Sequence, residues 1–300
     1  MLNKTIYMTY KKNVPKFVFD RWKKLNKNYS IDFSLDDQCI TFLRENFNDY
    51  IADLFIKIPK GMYKADLWRL CKLYIHGGVY ADVDLVPYIN IDEFLNNSHI
   101  DEFLNNSQIE NSNVFISCLS AFGKSIFQAF MICKTEPKNP LILNFLISFL
   151  HNNPYNYGNG PTYDMYNCLS HSINNNKLIP ENIYQIKTVN INIKIGNSIE
   201  PIKKINLYYF PNDIEYTINV KLDNNKFECY IENNILFVKN KQNIAWDELY
   251  ECDIIIKYNI NILLLKEIFL TRNISSACVI YNKKKILQSR DPIYFRNKGW

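Results

Sequence analysis

The chain has 300 residues, of which 47% are hydrophobic and 22% are charged, with 8 glycines and 11 prolines. This composition excludes collagen-like, coiled-coil and intrinsically disordered chains and predicts a globular protein. The 35 Lys and Arg residues against 30 Asp and Glu leave a net charge of +5. That charge is too small and too dispersed to predict a dedicated nucleic-acid surface.

The cysteines and the N-terminus indicate the compartment. The 8 cysteines include no C-x-x-C pair, and the 4 histidines never fall at zinc-ligand spacing. The first residues lack a basic region followed by an apolar core, and no run of about 18 apolar residues occurs. We therefore expect a cytoplasmic protein with reduced cysteines, no secretory signal and no transmembrane segment.

The N-terminal part alternates between strand and helix patterns. Residues 4–10 predict a buried strand, Pro15 suits the first turn of a helix, and residues 30–35 predict a second strand. Asp36 and Asp37 are N-cap candidates for the next helix. The repeated strand–helix–strand order indicates an α/β fold.

The next helix is predicted over residues 61–76, because apolar residues recur at helical spacing from Leu67 onward. Gly77 and Gly78 are expected to end this helix. A strand is predicted immediately afterwards, over residues 79–86.

The rest of the chain has a weaker pattern. Residues 91–107 contain a tandem duplication of IDEFLNNS, which predicts a surface helix or loop. Further elements are predicted as follows: strands at 113–119 and 127–133, helices at 140–150 and after Gly160-Pro161, a strand-rich region over 183–241, and a helical stretch around 262–270. We expect one main domain over residues 1–250, with a C-terminal extension over 251–300 packed on it.

Two carboxylates occur together at the end of the predicted strand 79–86. Alternation with period two places Tyr80, Asp82 and Asp84 on one face of that strand. Two such carboxylates suit a hard cation, Mn²⁺ or Mg²⁺, bridged to the oxygens of a diphosphate. A lone D-x-D arises by chance in a chain of this length. Here a helix, a Gly-Gly turn and apolar strand residues surround the motif, which favours a nucleotide-sugar site over a solvated acidic loop.

Asp66 and Arg69 lie three residues apart on the preceding helix, next to its apolar stripe. One interpretation is an ordinary ion pair within the helix. The other is that Asp66 accepts hydrogen bonds from sugar hydroxyls while Arg69 donates to a hydroxyl or a phosphate. The spacing alone favours neither interpretation.

The segment 61–88 resembles a known signature. It contains A-D-x-x-R, then L-Y-x-x-G-G-V-Y, then D-V-D-x-x-P. This order resembles the DXD-containing sugar transferases related to the yeast initiating α-1,6-mannosyltransferase and to bacterial capsular-polysaccharide transferases. It is also similar to the catalytic domain of the clostridial glucosylating toxins. The resemblance is strong over 61–88 and loose over the rest of residues 4–250.

The resemblance implies a GT-A fold, a Rossmann-like nucleotide-sugar-binding α/β domain with a mixed central sheet. It also implies a metal-dependent glycosyltransferase that moves a hexose from a UDP- or GDP-sugar to a glycan or protein acceptor, with retention of anomeric configuration. A catalytically decayed sugar-nucleotide or glycan-binding protein is the alternative. A metal-dependent phosphoesterase usually needs more Asp and His ligands than this window offers.

Residue roles follow from the same resemblance. Asp84 would ligate the metal, and Asp82 would contact the metal shell or the ribose. Asp66 and Arg69 would hold the donor sugar. Thr9 and Tyr10, at the C-terminal edge of the first strand, would contact the base and the ribose. Core packing is the alternative role for Tyr10.

The chain departs from the family near residues 240–246. The family usually carries a late His-containing segment ending in Ser-Trp, whereas this segment has no His and has Ala245 in the Ser position. Asn243 and Trp246 would then replace part of that function. Either an amide or a water is the third metal ligand, or the metal site is weakened. Trp300 is the competing candidate for the tryptophan.

Overall fold

The computed structural model describes residues 2–96, 113–134, 139–151 and 160–170. Beyond residue 170 it describes ten shorter segments: 183–185, 189–194, 202–206, 216–220, 227–232, 235–242, 249–256, 259–269, 277–281 and 283–289.

The N-terminal residues form the predicted alternation of strands and helices. β1 (Thr5–Thr9) and β2 (Ser30–Ser34) pair in parallel, and α1 (Phe17–Leu25) connects them. Two further helices follow, α2 (Asp36–Asn46) and α3 (Asp49–Lys57). A parallel pair needs a crossover connection of this kind, so the structure confirms the β-α-β start.

The Gly-Gly turn joins α4 (Gly61–His76) to β3 (Gly78–Ala81), which pairs in parallel with β1. Gly78 has a φ of +93°, which L side chains rarely adopt. A Cβ at this position would lie 3.0 Å from Cε2 of Tyr7 and 3.1 Å from the carbonyl oxygen of Thr5. Glycine is therefore required here both by the backbone conformation and by the closeness of β1.

The central sheet is mixed and, within the described residues, has ten strands. Besides β1, β2 and β3, its strands are β4 (Val86–Pro87), β5 (Asn113–Leu119), β6 (Ile126–Lys134), β7 (Ile183–Gln185), β14 (Asn259–Phe269), β15 (Ala277–Tyr281) and β16 (Lys284–Ser289). Nine of the ten follow the order β2-β1-β3-β6-β5-β14-β15-β16-β4, and β7 pairs with β14. The predicted α/β class with a mixed central sheet is confirmed.

The helical stretch predicted around residues 262–270 is wrong, because this segment forms most of β14. Residues 260–266 pair in parallel with residues 113–119 of β5. A short apolar run bounded by polar residues fits a buried strand as well as a helix, and periodicity alone does not separate the two. Three strands of the C-terminal fifty residues, β14, β15 and β16, thus belong to the central sheet. The domain boundary at residue 250 stays a prediction.

The remaining elements lie outside this sheet. The helices are α5 (Ile91–Leu95), α6 (Pro140–His151) and α7 (Pro161–Ser170). The strands are β8 (Val189–Lys194), β9 (Ile202–Asn206), β10 (Tyr216–Val220), β11 (Phe227–Glu232), β12 (Ile235–Asn240) and β13 (Leu249–Ile256). They form two antiparallel sheets, β10-β13-β8 and β11-β12-β9. α5 belongs to the first copy of the duplication, and the second copy lies outside the described residues.

Apolar side chains cover the central sheet on both faces. On β3, Tyr80 packs in a cluster with residues of α2, α3 and α4, whereas Val79 and Ala81 pack in a second cluster with Trp22 of α1. Burial on both faces is the usual state of parallel strands between helices. The sheet thus fixes β3, and with it the residues that follow Ala81.

None of the helices in the described part of the chain combines the length and apolar character needed to cross a bilayer.

We expect the substitution Gly78→Ala to destabilise the protein by about 2–4 kcal/mol, because an unfavourable φ and a steric clash act together. Gly123→Ala is the matched control, since Gly123 has a φ of +100° but no atom within 4 Å of the added Cβ. That control should cost only about 1–2 kcal/mol, from backbone strain alone. Urea unfolding of both variants measures the difference, and equal losses would contradict the close approach of β1 to Gly78.

Candidate active site

The D-V-D motif lies on a turn between β3 and β4. The backbone N–H of Leu85 donates to the carbonyl oxygen of Asp82 at 3.1 Å and closes the turn. The predicted continuous strand over residues 79–86 is therefore wrong, because the chain leaves the sheet after β3. The burial pattern still alternates: Val83 is buried, while Asp82 and Asp84 are half-buried. Both carboxylates thus remain partly accessible to solvent.

Arg69 projects from α4 towards this turn and is almost completely buried, with 5% of its side chain exposed. Its Nε donates to the carbonyl oxygen of Ala65 at 3.1 Å, and its Nη1 donates to the carbonyl oxygen of Gln128 on β6 at 2.6 Å. The guanidinium carbon lies 4.4 Å from the centroid of the Tyr80 ring. Hydrogen bonds and a cation–π contact therefore fix the guanidinium in position.

The same guanidinium brings two of the predicted site carboxylates together. Arg69 Nη2 lies 3.3 Å from Oδ1 of Asp66 and 3.3 Å from Oδ1 of Asp82. The Tyr80 hydroxyl donates to Oδ1 of Asp82 at 2.6 Å, and the backbone N–H of Asp82 donates to the carbonyl oxygen of Ala129 at 2.8 Å. Asp82 is therefore held by α4, β3 and β6, and its described side-chain contacts all end on Oδ1.

The charges of this cluster are strongly coupled. Burial raises the pKa of Asp66 to about 6; Arg69 opposes this rise, and Asp82 adds to it. Burial disfavours the Arg69 cation, but the surrounding negative charges, above all Asp82, outweigh it and raise the pKa of Arg69 above its usual range. Asp84 contributes to the same rise. Arg69 therefore stays charged, and Asp66 ionises close to neutral pH.

Thr9 is the last residue of β1 and Tyr10 follows it directly, so both lie at the C-terminal edge of the strand, as predicted. The Thr9 hydroxyl is buried and donates to the carbonyl oxygen of Ser34 at 2.8 Å, with Sγ of Cys39 at 3.3 Å. Tyr10 is half-buried against the apolar cluster that contains Val79. The described contacts of Thr9 join β1 to β2 and α2, and the nucleotide contacts of both residues stay a prediction.

Asn243, Trp246 and Trp300 lie outside the described residues, so their predicted roles also stay predictions. Within the described part of the chain, no three His, Cys, Asp or Glu residues come together as a metal-binding group. The side chains that fit a hard cation there are Asp82 and Asp84, two half-buried carboxylates on one turn. A complete site would need further oxygen ligands from elsewhere.

Two residues of this cluster were given no role by the sequence reasoning. Tyr80 was predicted to share the face of Asp82, and its hydroxyl does contact that carboxylate. The sequence analysis gave Gln128 no role, although a glutamine within the apolar run IFQAFMIC indicates a polar side chain inside a buried strand. Such a residue is mostly exposed in proteins, whereas Gln128 is 2% exposed.

Comparison with known proteins identifies the segment that carries Asp66, Arg69, Tyr80 and Asp82. Residues 13–101 match the family described as "Glycosyltransferase sugar-binding region containing DXD motif". A 105-residue segment is 29% identical to the initiation-specific alpha-1,6-mannosyltransferase of Candida albicans, and covers 32% of this chain and 27% of that protein. A 72-residue segment is 36% identical to an uncharacterized glycosyltransferase of Acanthamoeba polyphaga mimivirus, and covers 24% of this chain and 29% of that protein. The resemblance predicted from the sequence is confirmed.

Among solved structures, similarity is found to the PaToxG glycosyltransferase, with a TM-score of 0.35 and 16% identity over 57% of this chain and 70% of that one. The ligand-free glycosyltransferase domain of the YGT toxin gives a TM-score of 0.32 and 12% identity over 50% of this chain and 63% of that one. The curated relatives are matched over less than a third of their own length.

The raised pKa of Asp66 predicts a specific pH dependence of stability. Its carboxyl ionises at a pH of about 6 in the folded protein and at 3.8 ordinarily, so the folded state holds more protons between these values. The contribution of Asp66 to stability therefore falls as the pH rises from about 4 to 6, by up to about 3 kcal/mol, and is level above that window.

The variant Asp66→Asn lacks this titration. We expect the unfolding free energy of the wild type, minus that of Asp66→Asn, to decrease between pH 4 and pH 7 in urea titrations. A difference that instead increases with pH would mean that pairing with Arg69 outweighs burial.

Proposed function

We propose that this protein is a metal-dependent, retaining glycosyltransferase that uses a UDP- or GDP-hexose as donor. The observation that carries this proposal is the contact of Arg69 with both Asp66 and Asp82, at 3.3 Å each, within the segment that matches the DXD family. These are the residues to which the resemblance assigns the donor sugar and the metal shell. A buried, charge-linked cluster next to accessible carboxylates is typical of a functional site.

In this proposal, α4 supplies the contacts to the transferred hexose. The Asp66 carboxylate accepts hydrogen bonds from sugar hydroxyls. Hydrogen bonds to an ionised acceptor are about twice as strong as those between neutral groups. A guanidinium has five N–H donors, and Arg69 directs Nε, Nη1 and Nη2 at protein oxygens. Arg69 therefore acts mainly by fixing the two carboxylates, with one remaining N–H of Nη1 directed at the donor.

Asp82 and Asp84 would hold Mn²⁺ or Mg²⁺ through carboxylate oxygens, with Asn243 as the proposed further ligand. When bound, such a cation neutralises the charge that develops on the diphosphate leaving group. The contribution of the chain is to hold the turn, because Arg69 and the Tyr80 hydroxyl fix Oδ1 of Asp82. Oδ2 of Asp82 would then be the oxygen available to a cation. Thr9, Tyr10 and Trp246 would complete the contacts to the nucleotide.

The proposed transfer joins an acceptor hydroxyl oxygen to the anomeric carbon while the bond from that carbon to the diphosphate oxygen breaks. The hydroxyl proton passes to the departing phosphate oxygen, so no protein base is required. Both events occur on the same face of the sugar, which retains the anomeric configuration. Positioning of donor and acceptor then supplies a large part of the rate enhancement.

One sequence observation favours a second candidate, a sugar-nucleotide or glycan-binding protein without turnover. Residues 240–246 lack the His of the related segment and have Ala245 in place of Ser. A cation site that lost a ligand there would retain donor binding while losing catalysis. A transferase and a sugar-nucleotide-binding protein therefore differ in turnover and not in donor binding.

We expect donor-selective hydrolysis across UDP- and GDP-hexoses that depends on Mn²⁺. Asp84→Ala should lower this rate at least about 100-fold, because a catalytic cation contributes several kcal/mol. The control is Asp53→Ala, since Asp53 is an exposed carboxylate on α3, and it should leave the rate unchanged. Release of the nucleoside diphosphate measures the reaction.

Metal-dependent binding of a donor without hydrolysis, in the presence of glycan acceptors, would favour the second candidate. If no sugar nucleotide raises the melting temperature of the wild type with or without Mn²⁺, the transferase and a sugar-nucleotide-binding protein are both excluded, and glycan binding is the candidate that remains.

A further inference from the structure

A stacked pair of aromatic rings stands on the small sheet β11-β12-β9, which holds neither the Arg69 cluster nor the D-V-D turn. Tyr230 of β11 lies directly opposite Phe237 of β12. The ring centroids are 4.8 Å apart, and the ring planes differ by only 6°. Phe237 thus covers one face of the Tyr230 ring, yet Tyr230 is 44% exposed. The exposed part of this side chain is therefore its other face, its edge and its hydroxyl.

The two faces of this sheet have different surroundings. Successive side chains of a strand point to opposite faces. Val238, the neighbour of Phe237 on β12, is 0% exposed and belongs to the apolar cluster that contains Tyr80. Phe237 and its partner Tyr230 therefore point away from that cluster. Because β12 pairs with β11 on one side and with β9 on the other, the strand ladder holds the two rings in place.

Two opposite charges stand on the same face as the rings. Glu228 of β11 and Lys239 of β12 lie directly opposite each other, and both are exposed. Each is two residues from one of the rings, so the period of two puts all four side chains on one face. A carboxylate accepts hydrogen bonds and an ammonium group donates them. The rings thus have hydrogen-bonding groups of both kinds beside them, with no net charge.

This combination limits the class of ligand. The face of an aromatic ring carries negative partial charge, which suits the weakly positive C–H groups on one side of a pyranose ring. The hydroxyls of the same sugar can both donate and accept, as Glu228 and Lys239 require. A nucleic acid or an anionic membrane needs an excess of positive charge, and here Glu228 cancels Lys239.

A protein partner fits this face less well than a sugar. A stable protein interface buries about 800 Å² on each partner. Among the side chains that the structure describes in this sheet, Tyr230 is the one large apolar residue that is exposed. Such a surface matches the size of a single sugar ring.

We propose that the outer face of β11 and β12 binds a hexose unit of a neutral glycan. Tyr230 stacks on the sugar ring, while Glu228 and Lys239 hydrogen-bond to its hydroxyls. This site goes beyond the proposed function, since it requires neither a sugar nucleotide nor a cation. With a glycan acceptor, it would hold the chain at a second point and raise the effective concentration of the reacting end.

The test uses an array of immobilised neutral oligosaccharides of mannose, glucose, galactose and N-acetylglucosamine, without sugar nucleotide and with a chelator present. We expect the wild type to bind at least one of them, and calorimetry then gives the dissociation constant of the oligosaccharide that binds best. Tyr230→Leu keeps an apolar side chain but removes the ring. It should weaken binding about 3- to 10-fold, the usual value of an aromatic contact. Tyr230→Phe keeps the ring and should retain most of the affinity.

Controls separate sugar binding from packing, because a cross-strand aromatic pair also stabilises a hairpin. Tyr50 on α3 is exposed to a similar extent, 46%, and Tyr50→Leu should leave the dissociation constant unchanged. Asp84→Ala should also leave it unchanged, since the D-V-D turn is a different site. If Tyr230→Leu does not fold, Glu228→Ala tests the same face without changing the ring pair.

Each outcome decides the proposal. Weaker glycan binding by Tyr230→Leu, with Tyr230→Phe and both controls unchanged, supports it. It is overturned if the wild type binds no oligosaccharide of the array, if Tyr230→Leu binds as the wild type does, or if Asp84→Ala abolishes binding. Hydrolysis of the sugar nucleotide is measured on the same samples, so failure of the glycan site is distinguishable from failure of the proposed function.

Discussion

The Arg69 guanidinium is the contact on which the candidate site depends. It joins α4, the D-V-D turn and the sequence-distant strand β6, through the carboxylates of Asp66 and Asp82 and the carbonyl oxygen of Gln128. A buried cation of this kind is costly unless its partners are well placed. The surrounding elements must therefore hold those partners in position, and the fold explains how they do so.

Each partner is fixed by a backbone feature. Asp82 follows β3, which is tied to β1 by a glycine that no larger residue can replace without strain. The Gln128 carbonyl belongs to β6, which pairs antiparallel with β3. α4 itself carries a second buried cation one turn after Arg69: Lys72 lies 3.0 Å from Asp32 of β2 and 4.3 Å from the centroid of the Phe42 ring. Two buried cations thus anchor one helix to strands and turns on both sides.

Much of this arrangement could be predicted from the sequence. The β-α-β start, α4 and the Gly-Gly turn have strong local signals, and the period of two correctly put Tyr80 on the side of Asp82. The continuous strand over 79–86 and the helix around 262–270 were wrong for related reasons. Alternating burial persists through a turn, and a short apolar run does not reveal whether it will be a central strand. The meeting of Asp66 with Asp82 depends on long-range pairing of β3 and β6, which no local pattern encodes. The burial of Gln128 likewise follows from the fold and not from its local sequence.

The claim that Arg69 couples the helix to the D-V-D turn is tested most directly by a double-mutant cycle. The unfolding free energies of the wild type, Arg69→Met, Asp82→Asn and the double variant would be measured in urea at pH 7. Contact across 3.3 Å, in a largely buried setting, predicts a coupling free energy of about 1 kcal/mol or more. Single effects that add to within about 0.5 kcal/mol would contradict the account, because Arg69 would then stabilise α4 without holding the turn.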